Sequence, residues 1–169
     1  MKTVSLLRHA KSSWNDDNLA DFDRPLNKRG LEIMPFVGEK IYDAKLAIEL
    51  ILSSPAKRAK QTAILIKETA QVAADIRYDE RIYEASPHRL LEVIAETEDE
   101  REAIMLVGHN PGLEGLIRVL TGETQSMETA ALAVIDLKIE KWSETNAACG
   151  FVRKIINPKN EIEAPKESW

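Results

Sequence analysis

Short apolar runs alternate along the chain with longer stretches of helical periodicity, and no other feature of the sequence limits the fold as strongly. Each run is rich in leucine or β-branched residues and is followed at once by a turn or cap signal. The predicted strands are residues 4–7, 50–52, 103–107 and 132–137, and the predicted helices cover about 30–43, 56–70, 88–97 and 111–121. This alternation predicts a three-layer α/β fold, with a mostly parallel central sheet and helices on both faces.

The end of the chain departs from this alternation. Residues 132–139 and 150–156 have strand character and are joined by a polar connection, which indicates an antiparallel pair. Residues 158–169 contain two prolines and five charged side chains, a composition typical of extended chain. We therefore expect one domain over residues 1–157, followed by an extended tail over residues 158–169.

Three predicted helices begin with recognisable cap signals. Ser54 before Pro55 and Asn110 before Pro111 each place a capping side chain ahead of a proline at the first helical position. Asn27 is the predicted cap of the first helix. The first two of these signals mark tight turns between a strand and the helix that follows it.

Composition limits the compartment and the partners. A domain of 169 residues buries enough surface to fold without disulfides or a structural metal. The lone Cys149 cannot form an internal bridge, which is typical of a reducing compartment. The net charge of -5 disfavours a nucleic-acid partner, and no apolar run approaches the ~20 residues needed to cross a bilayer. We therefore expect a cytoplasmic protein with no nucleic-acid and no membrane partner.

Arginine and histidine follow three of the predicted strands. Arg8 and His9 come directly after the first strand, Arg58 lies in the helix start after the second, and His109 follows the third. Because the binding crevice of an open α/β sheet lies at the carboxyl ends of its strands, these side chains are expected to meet. Guanidinium forks and free backbone amides both bind phosphate oxygens, so the predicted ligand is a phosphoryl group.

The predicted chemistry is covalent catalysis by histidine. Nearby arginines penalise protonation of His9, so its pKa is expected to be depressed and its imidazole neutral at pH 7. A neutral imidazole can attack phosphorus and form an intermediate that water hydrolyses, while Arg8, Arg58 and His109 hold the phosphoryl oxygens. This route needs neither a metal nor a cofactor. A metal site is disfavoured because no third histidine has ligand spacing and the arginines repel a cation.

Three segments resemble the motifs of the histidine phosphatase superfamily, whose fold is called phosphoglycerate mutase-like. They are RHAKSSWN at 8–15, SSPAKRAKQTA at 53–63 and VGH at 107–109, in the order that the family has them. The resemblance spans roughly residues 4–135 and is strongest to the small bacterial phosphohistidine phosphatases of the SixA type. It implies a phosphoglycerate mutase-like fold, and the short chain leaves no room for the large lid insertions of bigger relatives.

The resemblance also implies roles for individual residues. His9 matches the nucleophile that becomes phosphorylated, and Arg8, Arg58 and His109 match the rest of the phosphate pocket. Ala10 stands where the family commonly has glycine.

Glu84 is a further catalytic candidate, and Asn15, Arg24 and Thr129 are candidate substrate-binding residues. Glu84 matches the family's acidic proton donor, and Asn15 matches a phosphate-contacting asparagine of larger members. Thr129 lies near a segment where the family has a small hydroxyl residue. Arg24 is a candidate substrate contact, or else a salt-bridge partner of a nearby aspartate.

These residues leave three functions open. The first is a metal-independent phosphatase for phosphohistidine in a signalling or phosphotransfer protein. The second is a phosphomonoesterase for a small phosphorylated metabolite, which Glu84 favours because an alkoxide leaving group needs a proton donor. The labile P–N bond of phosphohistidine needs no strong acid, so Glu84 could instead be a base for water or a charge at the pocket edge. The third function is a phosphate-binding module without turnover.

Overall fold

Six strands and four helices make up the computed structural model, which describes residues 1–158. The strands are β1 (Lys2–Arg8), β2 (Leu50–Ser53), β3 (Asp75–Tyr78), β4 (Ala103–Gly108), β5 (Leu132–Leu137) and β6 (Gly150–Ile156). The helices are α1 (Lys28–Asp43), α2 (Lys57–Thr69), α3 (Pro87–Ala95) and α4 (Gly112–Thr121). Short 3-10 turns occupy Asp21–Asp23, Glu80–Ile82 and Trp142–Glu144.

All six strands belong to one mixed sheet. The strand order is β3-β2-β4-β1-β5-β6, in which the first four strands are parallel to one another. Strand β5 runs antiparallel to β1, and β6 runs antiparallel to β5. The predicted mostly parallel sheet and the predicted antiparallel pair at the end of the chain are therefore both confirmed.

Helices cover both faces of the sheet, as the three-layer prediction requires. Alternate side chains of β1 point to opposite faces, so that Leu6 joins one buried cluster and Leu7 the other. Leu6 packs in the cluster that contains the apolar residues of α3 and α4, whereas Leu7 packs with those of α1 and α2. A strand buried on both faces reads as a continuous apolar run, which is why the sequence identified the central strands.

Strand β3 was not among the predicted strands. Its sequence is Asp-Ile-Arg-Tyr, and Ile76 is its single aliphatic residue. It lies at the edge of the sheet and is mostly exposed, so it pairs with β2 through its backbone and needs no apolar run.

Two of the three predicted helix caps are wrong. Asn27 does cap α1, since its Oδ1 accepts a hydrogen bond of 2.8 Å from the Gly30 N–H. Helix α2, however, begins at Lys57 rather than at Pro55, and α4 begins at Gly112 rather than at Pro111. The Ser54 side chain instead contacts His109, and the Asn110 side chain donates to the Met127 carbonyl. Sequence periodicity does not reveal such distant partners.

The predicted extended tail over residues 158–169 lies, apart from Pro158, outside the described residues. Among residues 1–158, no helix combines the length and the apolar content that crossing a bilayer requires.

Helix α1 packs tightly against the segment that follows His9, with Gly30 next to the backbone of Lys11. Substitution of Gly30 tests whether this packing stabilises the fold. A Cβ on Gly30 would meet the backbone oxygen of Lys11, and would lie 3.1 Å from its backbone carbon and nitrogen. We expect Gly30→Ala to lower the free energy of unfolding by about 1–3 kcal/mol, because backbone cannot yield as a side chain can. Denaturant unfolding measures this effect.

The matched control is Arg29→Ala, at an exposed position of the same helical turn. It should change the free energy of unfolding by less than about 0.5 kcal/mol. An equal free energy of unfolding for Gly30→Ala and the wild type would contradict this reading of the contact.

Candidate active site

The ends of β1 and β4 bring two histidines together. Parallel pairing places Arg8 opposite Gly108, and the His9 N–H donates to the Gly108 carbonyl at 3.1 Å. The centroids of the His9 and His109 rings are consequently 5.2 Å apart. The predicted meeting of these side chains at the carboxyl ends of the strands is confirmed.

A cavity of about 320 Å³ lies at this edge of the sheet. It is lined by Arg8, His9, Lys11, Ser12, Trp14, Arg24, Arg58, His109, Asn110 and Thr129. A larger cavity of about 420 Å³ lies where α1 and α2 end, is lined mostly by apolar side chains and contains none of the predicted site residues. The chemistry is therefore concentrated in the smaller cavity.

The His9 imidazole is held in one tautomer. Its Nδ1 lies 2.7 Å from the Ala10 carbonyl oxygen. A carbonyl can only accept a hydrogen bond, so Nδ1 carries the proton in the neutral ring and Nε2 keeps a lone pair. Nε2 is thus the nitrogen that can act as a nucleophile.

Burial keeps His9 neutral. The pKa of His9 is lowered to about 4, mainly by burial and in smaller part by the positive charges of Arg58, Arg8 and Arg24, while the hydrogen bond to Ala10 opposes the shift. The sequence predicted the direction from the arginines, but burial is the larger cause. At pH 7 the imidazole is therefore unprotonated at Nε2 and available for attack.

His109 has a similarly depressed pKa. Burial lowers it to about 3, with further contributions from His9 and Arg58. Its Nε2 lies 2.8 Å from the Ser54 Oγ. Its Nδ1 is buried and has no hydrogen-bond partner among the described residues.

The two arginines nearest to the histidines are fixed, yet each has an unused donor. Arg8 donates from Nη1 to the Met127 carbonyl at 2.8 Å, and Arg58 donates from both Nη atoms to Asp21. The Nε atom of each is buried without a partner within residues 1–158. Buried donors are normally paired, so these nitrogens and His109 Nδ1 suit an oxyanion bound in the cavity.

Arg24 is a salt-bridge partner of Asp21, which is one of the two roles that the sequence allowed, and its contact with substrate remains a prediction. It is buried, lines the cavity and forms an ion pair of 3.2 Å with Asp21. Its Nη1 also donates to Ser12 Oγ and to the Ser13 carbonyl, both at 3.1 Å. The Trp14 ring lies 3.5 Å from the Arg24 guanidinium. Most donors of Arg24 therefore already have acceptors within the protein.

Of the three remaining candidates, one lines the cavity and two do not. Thr129 lines the cavity, as proposed from its sequence position. Asn15 and Glu84 are exposed and are not among the residues that line it. Glu84 also has a positive φ of 51°. Their matching to family positions remains a prediction.

Sequence reasoning did not identify Tyr83 or assign Asp21 a place in the site. The Tyr83 hydroxyl donates to Asp21 Oδ2 at 2.6 Å, and its ring packs edge-on against His109 with the centroids 5.6 Å apart. An aspartate three residues before Arg24 was a visible signal for Asp21. Tyr83 carried none, because the side-chain contacts that bring it into the site, with Asp21 and His109, are distant in sequence.

The donors around the histidines favour an anion over a cation. Three guanidinium groups line the cavity, and like charges repel. Within the described part of the chain, no group of three or more histidine, cysteine, aspartate or glutamate side chains is arranged to hold a metal ion.

Comparisons with known proteins agree with this geometry. The family model of the histidine phosphatase superfamily (branch 1) matches residues 4–102. An uncharacterised protein of Mycobacterium tuberculosis is 37% identical over 142 residues, which cover 84% of each chain. An uncharacterised chloroplastic protein of Arabidopsis thaliana is 31% identical over 160 residues, covering 88% of this chain and 72% of the relative.

Solved structures share the whole fold. A protein of Agrobacterium tumefaciens assigned to the SixA phosphohistidine phosphatases superposes with a TM-score of 0.80 at 30% identity, covering 93% of this chain and 98% of the other. The protein histidine phosphatase SixA in complex with tungstate has a TM-score of 0.80 at 21% identity, with coverage of 94% and 99%.

The fold and the cationic histidine pocket define a phosphatase. The chain belongs to the histidine phosphatase superfamily, and its fold is that of the SixA structures, as the sequence motifs implied.

Titration of the two imidazoles tests the electrostatics of the site. We expect the NMR resonances of His9 to titrate near pH 4 and those of His109 near pH 3, because burial opposes the charged form of both rings. His9→Asn and His109→Asn variants assign the signals.

Protein stability gives a second readout of the same shifts. Both pKa values lie below the ordinary 6.5, so the unfolded chain binds protons that the folded protein does not. The free energy of unfolding should therefore fall as the pH is lowered from about 6.5 towards 4. Midpoints near 6.5 together with a pH-independent stability would contradict these assignments.

Proposed function

We propose that the phosphatase acts through a covalent phosphohistidine on His9 and needs no metal. The Nε2 lone pair attacks phosphorus, the Nε2–P bond forms, and the bond between phosphorus and the leaving group breaks. Water then attacks the phosphoryl group, the Nε2–P bond breaks, and orthophosphate is released. The observation that carries this proposal is the 2.7 Å hydrogen bond between His9 Nδ1 and Ala10, which leaves Nε2 unprotonated.

The surrounding nitrogens are proposed to stabilise the transferring group. Charge develops on the phosphoryl oxygens during transfer, and donors that are already fixed in place stabilise it without reorganising. Arg8 and Arg58 supply guanidinium donors, and His109 adds a ring nitrogen that has no partner among the described residues. Thr129 lies on the cavity wall and is proposed as a further contact to substrate.

The proposed substrate is phosphohistidine carried by a protein. Imidazole is a far weaker base than an alkoxide, so its departure from phosphorus does not demand a strong acid. Glu84, the residue matched to a proton donor, is exposed and outside the cavity lining. The similarity to proteins assigned to the SixA phosphohistidine phosphatases supports the same choice. A phosphomonoesterase acting on a small metabolite is the alternative, and it requires a proton donor such as Glu84.

Replacement of His9 tests the nucleophile. We expect His9→Ala to lower the hydrolysis of a phosphohistidine peptide by a factor of roughly a thousand or more, because the covalent step is lost. Orthophosphate binding, measured by calorimetry, should persist through Arg8 and Arg58. A chelator present in every assay makes wild-type turnover itself a test of metal independence.

The control is His88→Ala, since His88 lies on α3 with an 83% exposed side chain and is not among the cavity residues. It should hydrolyse the peptide at the wild-type rate. Undiminished hydrolysis by His9→Ala would overturn the proposal, as would loss of wild-type activity in the chelator.

Replacement of Glu84 separates the two substrate classes. If phosphohistidine is the substrate, Glu84→Gln should change its hydrolysis by less than about threefold, because no strong acid is required. Glu80→Gln, at an exposed position of the neighbouring 3-10 turn, is the matched control. Rapid wild-type hydrolysis of alkyl phosphates, with a loss of roughly a hundredfold or more in Glu84→Gln, would instead establish the phosphomonoesterase.

A further inference from the structure

Asp21 collects donors from three separate parts of the chain. Arg58 of α2 donates to Asp21 through both Nη atoms, and Arg24 donates from Nε to Oδ1 at 3.2 Å. Tyr83, directly after the Glu80–Ile82 turn, donates its hydroxyl to Oδ2 at 2.6 Å. Two of these three donor residues, Arg58 and Arg24, line the cavity of the candidate active site. Asp21 has no role in the proposed reaction of His9 with the phosphoryl group.

The contacts with Arg58 use one particular edge of its guanidinium group. Nη1 donates to the Asp21 backbone oxygen at 2.7 Å, and Nη2 donates to Oδ2 at 3.0 Å. These two nitrogens form the end edge of the planar fork, while Nε and the second hydrogen of Nη2 form the side edge. Nε is buried and has no partner within residues 1–158. Because the fork is rigid, holding the end edge also fixes the direction of the side edge.

Asp21 is suited to hold cations and unsuited to donate a proton. The hydrogen bond from Tyr83 is the largest influence on its pKa, and together with Arg58 and Arg24 it lowers that pKa to about 2. Burial and the hydrogen bond to Asp21 raise the pKa of Tyr83 to about 12. At neutral pH, where the imidazole of His9 is unprotonated at Nε2, the carboxylate is therefore ionised and the phenol protonated.

We propose that Asp21 is a positioning residue, which holds the end edge of Arg58 and thereby aims the side edge at the phosphoryl group of the substrate. The inference rests on the proposed function, because it concerns how Arg58 meets the transferring group. Asp21 acts through Arg58, with Tyr83 and Arg24 fixing the carboxylate itself. The opposite role for an anion at this place is competition with phosphate for Arg58.

Substitution of Asp21 distinguishes these two roles by the direction in which the inhibition constant for orthophosphate changes. Asp21→Asn has nearly the same shape but loses the charge and one of the two acceptor oxygens. We expect kcat/KM for a phosphohistidine peptide to fall by roughly 10- to 100-fold, because a misdirected donor is costly in transfer. The inhibition constant for orthophosphate should rise, because the charged contact of Nη2 is lost and only the backbone contact of Nη1 still holds Arg58. Asp21→Glu, which keeps the charge, should recover part of both losses.

The matched control is Asp23→Asn, at an exposed position of the same 3-10 turn. It should leave kcat/KM and the inhibition constant at their wild-type values.

A double-mutant cycle tests whether Asp21 acts through Arg58. Lysine keeps a positive charge but has no planar fork to orient. In an Arg58→Lys background, Asp21→Asn should therefore change the orthophosphate inhibition constant by less than about twofold. An equal effect in both backgrounds would contradict the positioning role.

Two results would overturn the inference while the proposed function stands. One is a wild-type kcat/KM in Asp21→Asn, and the other is tighter orthophosphate inhibition, which would identify Asp21 as a competing anion. Failure of the proposed function has a different signature. In that case the wild-type protein would not hydrolyse the peptide, or His9→Ala would retain full turnover, and the inference would fall with it.

Discussion

The parallel pairing of β1 with β4 is the constraint on which the rest of the site depends. The register sets Leu6 beside Leu106 and Arg8 beside Gly108, so the two histidines leave the sheet side by side. Both strands are buried on both faces, with Leu6 in one apolar cluster and Leu7 in the other. A slip by one residue would exchange these faces, so the packing of the core and the position of the nucleophile are set by the same register.

Local contacts then set the protonation state of His9 and the orientation of the arginines around it. The Ala10 carbonyl selects the tautomer of His9, and burial keeps the ring neutral. The arginines are fixed from outside the cavity, Arg8 by a backbone carbonyl and Arg58 by Asp21. For His9, Arg8 and Arg58 alike, a hydrogen bond from one nitrogen of the side chain to the protein fixes which other nitrogen remains for a phosphoryl group. Preorganisation of this kind is most of what phosphoryl transfer asks of a protein.

The sequence was informative where structure depends on local pattern. Central strands are continuous apolar runs, and the residues directly after them include His9 and His109, so both the fold and the centre of the site could be predicted. Edge strand β3 could not, because its only aliphatic residue is Ile76. Ser54 has the pattern of a helix cap but bonds to His109, 55 residues away. The contact of Tyr83 with Asp21 spans 62 residues and likewise leaves no local signal.

The central claim is that His9 carries the phosphoryl group on Nε2, and trapping the phosphoenzyme tests it most directly. The wild-type protein would be quenched in base during turnover, and the modified residue and ring nitrogen identified by peptide mapping and by ³¹P and ¹⁵N NMR. The account predicts a single base-stable, acid-labile phosphate on Nε2 of His9. Phosphate on Nδ1, on another residue, or on no residue during active turnover would contradict it.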